Sequence, residues 1–104
     1  MPITGHNLIA GQPSNDSTLT FRSMDPRRRT PGDTVFYEAT PEEIDRAVRA
    51  AADAFAETRN YPPGRLADFL ERVATEIEAL DDELLETADR ETALSIPRLA
   101  GERA

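Results

Sequence analysis

The sequence predicts a mostly α fold preceded by a short N-terminal β-hairpin, and three observations lead there. From Thr40 onward, apolar residues recur every three to four positions in successive segments, as they do on one face of a helix. Before Thr40 the chain runs instead in short extended pieces separated by turn formers. Its composition, 104 residues with 38% apolar and 31% charged content, is that of a soluble globular chain long enough for one small domain. The chain thus divides into a strand and loop segment, residues 1–38, and a helical segment, residues 39–104.

In the first segment, Asn7-Leu8-Ile9-Ala10 reads as one strand and Leu19-Thr20-Phe21-Arg22-Ser23-Met24, with its apolar and polar alternation, as a second. The intervening Gly11-Gln12-Pro13-Ser14-Asn15-Asp16-Ser17 is rich in turn residues, so the pair is expected to form one long-looped hairpin. Asp25-Pro26 ends the second strand, because proline lacks the N–H that a ladder needs and holds the residue before it extended. Arg27-Arg28-Arg29-Thr30-Pro31-Gly32-Asp33 reads as a charged turn, and Thr34-Val35-Phe36-Tyr37 as a last extended piece.

The first helix is signalled at both ends. Thr40 as N-cap with Glu43 three residues later makes a capping box, and Pro41 sits at the first helical position, where its missing donor is not needed. Ile44, Ala47, Val48, Ala51, Ala52 and Phe55 line one face, while Glu42 with Arg46 and Asp45 with Arg49 are spaced to pair on the other. Asn60-Tyr61-Pro62-Pro63-Gly64 stops this helix. Leu66, Phe69, Leu70, Val73, Ile77 and Leu80 define a second, expected to lie antiparallel beside the first across so short a connection. Asp81 is the expected N-cap of a third helix, with Leu84, Leu85 and Ala88 on its inner face. Ser95-Ile96-Pro97 interrupts that helix, and a fourth starts at Pro97.

Composition excludes several function classes. The longest apolar stretches fall far below the roughly 18 residues that cross a bilayer, and residues 1–6 lack the basic start and apolar run of a signal peptide, so the cytoplasm is the expected location. Cysteine is absent, which removes disulfides, thiolate metal sites and a thiol nucleophile from these residues. All twelve basic residues are arginine, against twenty Asp and Glu, for a net charge of -8. Scattered cations in such a negative field do not track phosphates, so nucleic acid is not an expected partner.

No constellation for chemistry stands out. His6 is the only histidine and suits neither a metal site nor a serine triad. The three arginines at 27–29 read as solvated surface, with a phosphate site as the alternative. Glu42-Glu43 and Asp81-Asp82-Glu83 stand at helix starts, where the helix dipole accounts for them without acid–base catalysis. No catalytic, cofactor-binding or metal residue is therefore assigned.

The ordered series nonetheless carries a resemblance. Phe36 through Ala47, Ala51-Ala52-Asp53-Ala54-Phe55, Pro62-Pro63, Arg65-Leu66-Ala67-Asp68-Phe69-Leu70, Ile77-Glu78-Ala79-Leu80, Ala88-Asp89-Arg90-Glu91-Thr92 and Arg98-Leu99 with Gly101-Glu102-Arg103 closely resemble the amino-terminal part of the NAD(P)-dependent aldehyde dehydrogenases. Ile3-Thr4-Gly5, Leu8-Ile9-Ala10-Gly11 and Arg98-Leu99-Ala100-Gly101-Glu102-Arg103 are most similar to the subfamily that oxidises α-ketoglutarate semialdehyde (2,5-dioxovalerate). The resemblance covers almost the whole chain but only about the first fifth of such an enzyme, and it includes none of the family's catalytic or cofactor residues. It implies a partial domain truncated at its C-terminus: the N-terminal strand and helix layer of an α/β cofactor-binding domain.

By the same resemblance, the complete enzyme uses NAD or NADP, forms a thiohemiacetal on a cysteine, and releases the acid by thioester hydrolysis. No cofactor is expected for these residues alone, and the isolated chain is expected to be inactive. Its implied partner is the remainder of the enzyme. Two departures from the family pattern stand out: Asp25 precedes Pro26 where Asn is common, and Ala93 and Ser95 replace the Gly and Pro of a Glu-x-Gly-x-Pro stretch. Ala93 strains any backbone position that needs positive φ, and the substitution points to a decayed or truncated copy. The alternative reading is a stand-alone helical interaction module that pairs, also with itself as a homo-oligomer, through its apolar helix faces.

Overall fold

Two hairpins precede the helices, not one. The structure, a computed structural model, describes residues 2–104. Its elements are β1 (Asn7–Ile9), β2 (Gln12–Ser14), β3 (Thr20–Asp25), β4 (Thr30–Tyr37), α1 (Pro41–Thr58), α2 (Pro63–Glu78), α3 (Asp81–Thr92) and α4 (Ile96–Arg103). Strand β1 pairs antiparallel with β2 in the register Asn7↔Ser14, Leu8↔Pro13, Ile9↔Gln12, and β3 pairs with β4. The expected pairing of 7–10 with 19–24 is thus corrected, and the stretch from Gln12 to Ser14 read as loop is a strand.

The reason lies in the turn. Ala10 and Gly11 both take positive φ, 50° and 76°, the geometry of a two-residue turn whose twist matches that of the flanking strands. Pro13 is tolerated because a two-stranded ribbon has a free edge on each side.

The second hairpin turns through residues 26–29. Asp25 Oδ1 accepts from the N–H groups of Arg27 (2.8 Å) and Arg28 (3.1 Å), and the Arg29 N–H donates to the Asp25 carbonyl at 2.7 Å with Arg29 at φ 55°. Proline after Asp25 ends β3 as expected. Thr30 to Asp33, read as turn, instead begins β4; Pro31 and Gly32 are accommodated in a ribbon with no third strand to satisfy.

The chain forms two compact units, each discontinuous in sequence. One comprises residues 2–22 and 33–62, with β1, β2 and α1. Phe21 stacks on Phe36 with centroids 5.5 Å apart, the Tyr37 N–H donates to the Gly5 carbonyl at 3.1 Å, and the Glu38 N–H to that of Leu19 at 3.0 Å. Gly5, buried at φ 72°, lies so close that a Cβ there would collide with the carbonyl of Val35.

The other unit comprises residues 23–32 and 63–104, with α2, α3 and α4. Its buried apolar side chain is Leu85, with Leu84 and Ala88 half-buried, as the helical spacing predicts. Helix α3 does not start on an Asp81 cap: Leu80 holds the N-cap position without a side-chain bond, and Asp81 turns through φ 46°. The chain leaves α2 so abruptly that the left-handed turn uses the residue that would otherwise cap. Ala93 sits at φ 60° and closes the helix by donating its N–H to the Asp89 carbonyl at 2.9 Å. This is the positive-φ position at which an alanine is strained, as the sequence reading expected. Helices α1 and α2 fall in different units. No helix is long and apolar enough to cross a membrane among the described residues.

Candidate functional site

The densest polar cluster gathers at the start of α1. The Thr-Pro-Glu-Glu sequence forms the expected capping box: the Glu43 N–H donates to Thr40 Oγ1 at 3.1 Å, and the Thr40 N–H donates to Glu43 Oε2 at 2.8 Å. The second oxygen of the same carboxylate was not foreseen to have a distant partner. Glu43 Oε1 accepts from the Ser14 hydroxyl of β2 and from the Asp16 N–H at 3.3 Å. One turn on, Arg46 donates to Ser14 Oγ at 2.9 Å and, through both terminal nitrogens, to Asp16 Oδ2 at 3.2 Å. It therefore reaches across to the hairpin and not back to Glu42, whereas Asp45 and Arg49 pair as spaced, at 2.9 Å.

Glu43 is completely enclosed, its own hydrogen-bond partners covering it. The Ser14 hydroxyl, then the Thr40 N–H, hold its carboxyl down from 4.5 to about 2 against the opposing cost of leaving water, with the Asp16 N–H and the Thr40 side chain adding to the same effect. So acidic a carboxyl takes no proton near neutral pH and is no general base. The cluster is a clasp between the first hairpin and the first helix.

A second cluster lies in the other unit, in a groove of about 310 Å³ lined by Asp25, Arg27, Arg28, Asp89 and Arg90. Arg27 forks onto Asp89, NH1 to Oδ2 at 2.9 Å and NH2 to Oδ1 at 2.7 Å, and also donates to the Asp89 carbonyl at 3.2 Å. This bidentate bond raises the guanidinium pKa and lowers that of the carboxyl. Arg28 approaches Asp25 at 4.0 Å and is largely exposed. The first arginine of the run is therefore committed to fastening the hairpin tip to α3, and both carboxylates of the groove already face a cation.

The remaining sequence candidates stand apart from both clusters. His6 lies edge-on to Tyr37 with centroids 5.7 Å apart, exposed to solvent. Asp81 meets Arg103, whose NH1 donates to the Asp81 carbonyl at 3.0 Å. No group of three or more His, Cys, Asp or Glu that could hold a metal occurs among the described residues. A dinucleotide asks for a pyrophosphate set against a helix N-terminus entered from a parallel strand. The strands here form two hairpins, the start of α1 already holds the Glu43 carboxylate, and α2 is entered from Pro62. The described residues do not fit that group, and no chemical step is assigned to them.

Comparison with known proteins supplies what this geometry does not. A sequence model of the aldehyde dehydrogenase family matches residues 13–103. The chain is 42% identical over 104 residues to a protein of Azospirillum brasilense named alpha-ketoglutaric semialdehyde dehydrogenase 2, an alignment covering 99% of this chain and 20% of that protein. It is 36% identical over 98 residues to an alpha-ketoglutaric semialdehyde dehydrogenase of Acinetobacter baylyi, covering 94% and 19% respectively. The chain thus spans about a fifth of the length of these curated relatives. No solved structure matches it.

Proposed function

The chain belongs to the aldehyde dehydrogenase family, and from that premise we propose that it is the amino-terminal part of a cytoplasmic NAD(P)-dependent enzyme that oxidises a small semialdehyde, such as 2,5-dioxopentanoate, to its carboxylate. The supporting observation is the 42% identity that runs through 99% of this chain to a protein named for α-ketoglutaric semialdehyde. In this reading residues 1–38 and 39–104 together make part of one domain. Their work is to support the reacting centre from a distance: the Glu43 clasp fixes the first hairpin on α1, and Arg27 fixes the second hairpin's tip on α3. The nucleophilic thiol is supplied by chain outside these residues, which contain no cysteine.

Two measurements test the proposal. The pure 104-residue chain, given 2,5-dioxopentanoate with NAD or NADP, is expected to reduce neither; measurable reduction refutes the supporting role. A gene product that joins these residues to a cysteine-bearing body is expected to oxidise that semialdehyde in preference to a simple aldehyde of similar length. Equal turnover of both would remove the substrate assignment and leave the family. A second reading, a free-standing helical module, draws its support from the exposed apolar face of α2, and a chain that self-associates through that face would favour it.

A further inference from the structure

The groove of about 310 Å³ beside the second hairpin lies wholly within the unit of residues 23–32 and 63–104. Its size is at the lower end for a small-molecule site. Three guanidinium groups, of Arg27, Arg28 and Arg90, meet the two carboxylates of Asp25 and Asp89 there, a surplus of one positive charge in a chain of net charge -8. Both carboxylates are engaged. Asp89 takes the fork of Arg27 on its two oxygens, and its carbonyl accepts from Arg27 and from the Ala93 N–H. Asp25 Oδ1 accepts from the N–H groups of Arg27 and Arg28. A cation entering this groove would find its ligands taken and three like charges facing it.

Arg28 and Arg90 are placed differently from Arg27. Arg28 Nε stays 4.0 Å from Asp25 Oδ2, and Arg90 donates only to the Thr87 hydroxyl, at 3.3 Å. Among the described residues neither guanidinium holds a carboxylate at hydrogen-bond distance, and both side chains are exposed. A guanidinium presents a planar fork of donors that matches the oxygens of a phosphate or carboxylate. We propose that this groove binds a phosphate group between Arg28 and Arg90, with the Arg27 fork neutralising Asp89 so that it does not repel the ligand. A phosphate carries close to two negative charges near neutral pH and so matches two guanidinium groups, which a lone carboxylate does not. The site goes beyond the dehydrogenase reading and does not depend on it. It also changes the sense of the Arg27-Arg28-Arg29 run: the ligand-holding cations are Arg28 and a residue of α3, while Arg27 is structural.

The test titrates the isotope-labelled chain with inorganic phosphate near neutral pH, against sodium chloride at matched ionic strength, and follows backbone and arginine Nε–H resonances by NMR. Saturable shifts are expected at residues 25–28, 89 and 90 and not around Glu43. Arg28→Gln with Arg90→Gln is expected to weaken the apparent affinity at least tenfold, and Arg28→Lys, which keeps the charge and loses the fork, several-fold. Arg49→Gln, which removes a surface cation from α1, should leave it unchanged. Because Arg28 and Arg90 are exposed, these variants should keep the circular dichroism of the wild type.

Shifts that rise without saturating and match those of chloride overturn the proposal, as does undiminished binding by the double glutamine variant. Acetate binding as tightly as phosphate also overturns it, since the groove would then be a general carboxylate site. Glycerol phosphate is titrated in parallel: binding at least as tight as that of phosphate supports a phosphate monoester as the ligand, and binding of inorganic phosphate alone supports the free ion.

Discussion

The two compact units are held by different physics. In the unit of residues 2–22 and 33–62, an enclosed carboxylate answers donors from a strand, a loop and a helix cap at once. In the unit of residues 23–32 and 63–104, the ion pair that ties hairpin to helix sits at the surface, and the longest helix keeps its apolar face in water. An enclosed hydrogen-bonded charge is costly to disturb because every partner left behind is stranded. An exposed pair is dispensable because water replaces each partner. The first unit is therefore pinned by one enclosed carboxylate and the second by Leu85 and a surface ion pair, while both leave large apolar side chains open to water.

Gly5→Ala is the substitution with the largest expected effect on this contrast. The new Cβ meets the Val35 carbonyl, and φ 72° disfavours any side chain, so a loss of about 2 kcal/mol or more is expected in chemical denaturation. Glu43→Gln comes next and should exceed Thr40→Ala, for which loss of the cap costs about 1 kcal/mol. Amide exchange read by mass spectrometry should rise over β2 and the first turn of α1 while α3 is unchanged. Uniform deprotection of both halves would erase the distinction between them.

Acid titration sharpens the same point. Glu43 is held at about 2 in the folded chain against an ordinary 4.5. A depressed carboxyl contributes its stability fully above the unfolded value and loses it as pH falls through the folded one. The first unit should therefore weaken between about pH 4.5 and 2, and Glu43→Gln should flatten that slope. Asp89, also lowered by its arginine, follows the same sign from its ordinary 3.8 downward. Its exposure to salt screening should make that contribution vanish at 1 M sodium chloride, while the Glu43 slope persists.

Ala93→Gly acts in the opposite direction. It relieves the left-handed residue that ends α3 at φ 60°, and a gain of about 1 kcal/mol is expected from the glycine. Arg27→Gln should have the smallest effect, with no resolvable change in melting temperature at 0.15 M salt despite the 2.7 Å contact. A clear drop would mean that this surface pair carries more of the second unit's stability than its exposure suggests.

The helices were legible because their signals are local. Thr40, Pro41 and Glu43 state where α1 begins within four residues, and the Leu84, Leu85, Ala88 spacing states which face of α3 turns inward. The Glu43–Ser14 bond was not legible, since it joins residues 29 positions apart and the capping box already accounted for the carboxylate. Gln12-Pro13-Ser14 has the composition of a turn, and only the backbone of Ala10 and Gly11 makes it a strand. Arg46 had an acid at the right helical spacing and took a different one, because Asp16 is brought there by the hairpin. Ala93 is the instructive opposite: an expectation about backbone strain that the φ of that residue meets.

Neither unit is a continuous stretch of sequence, since the chain leaves the first after Arg22, returns at Asp33 and departs again after Pro62. A ribosome making this polypeptide therefore delivers every part of the first unit by Pro62, with the hairpin tip already waiting for α3, which emerges later. Proteolysis between Arg22 and Pro62 would sever the first unit, whereas removal of everything beyond Pro62 would leave it whole but for a spare loop of ten residues, 23–32. The order of synthesis thus completes one unit before the helices of the other have begun to emerge.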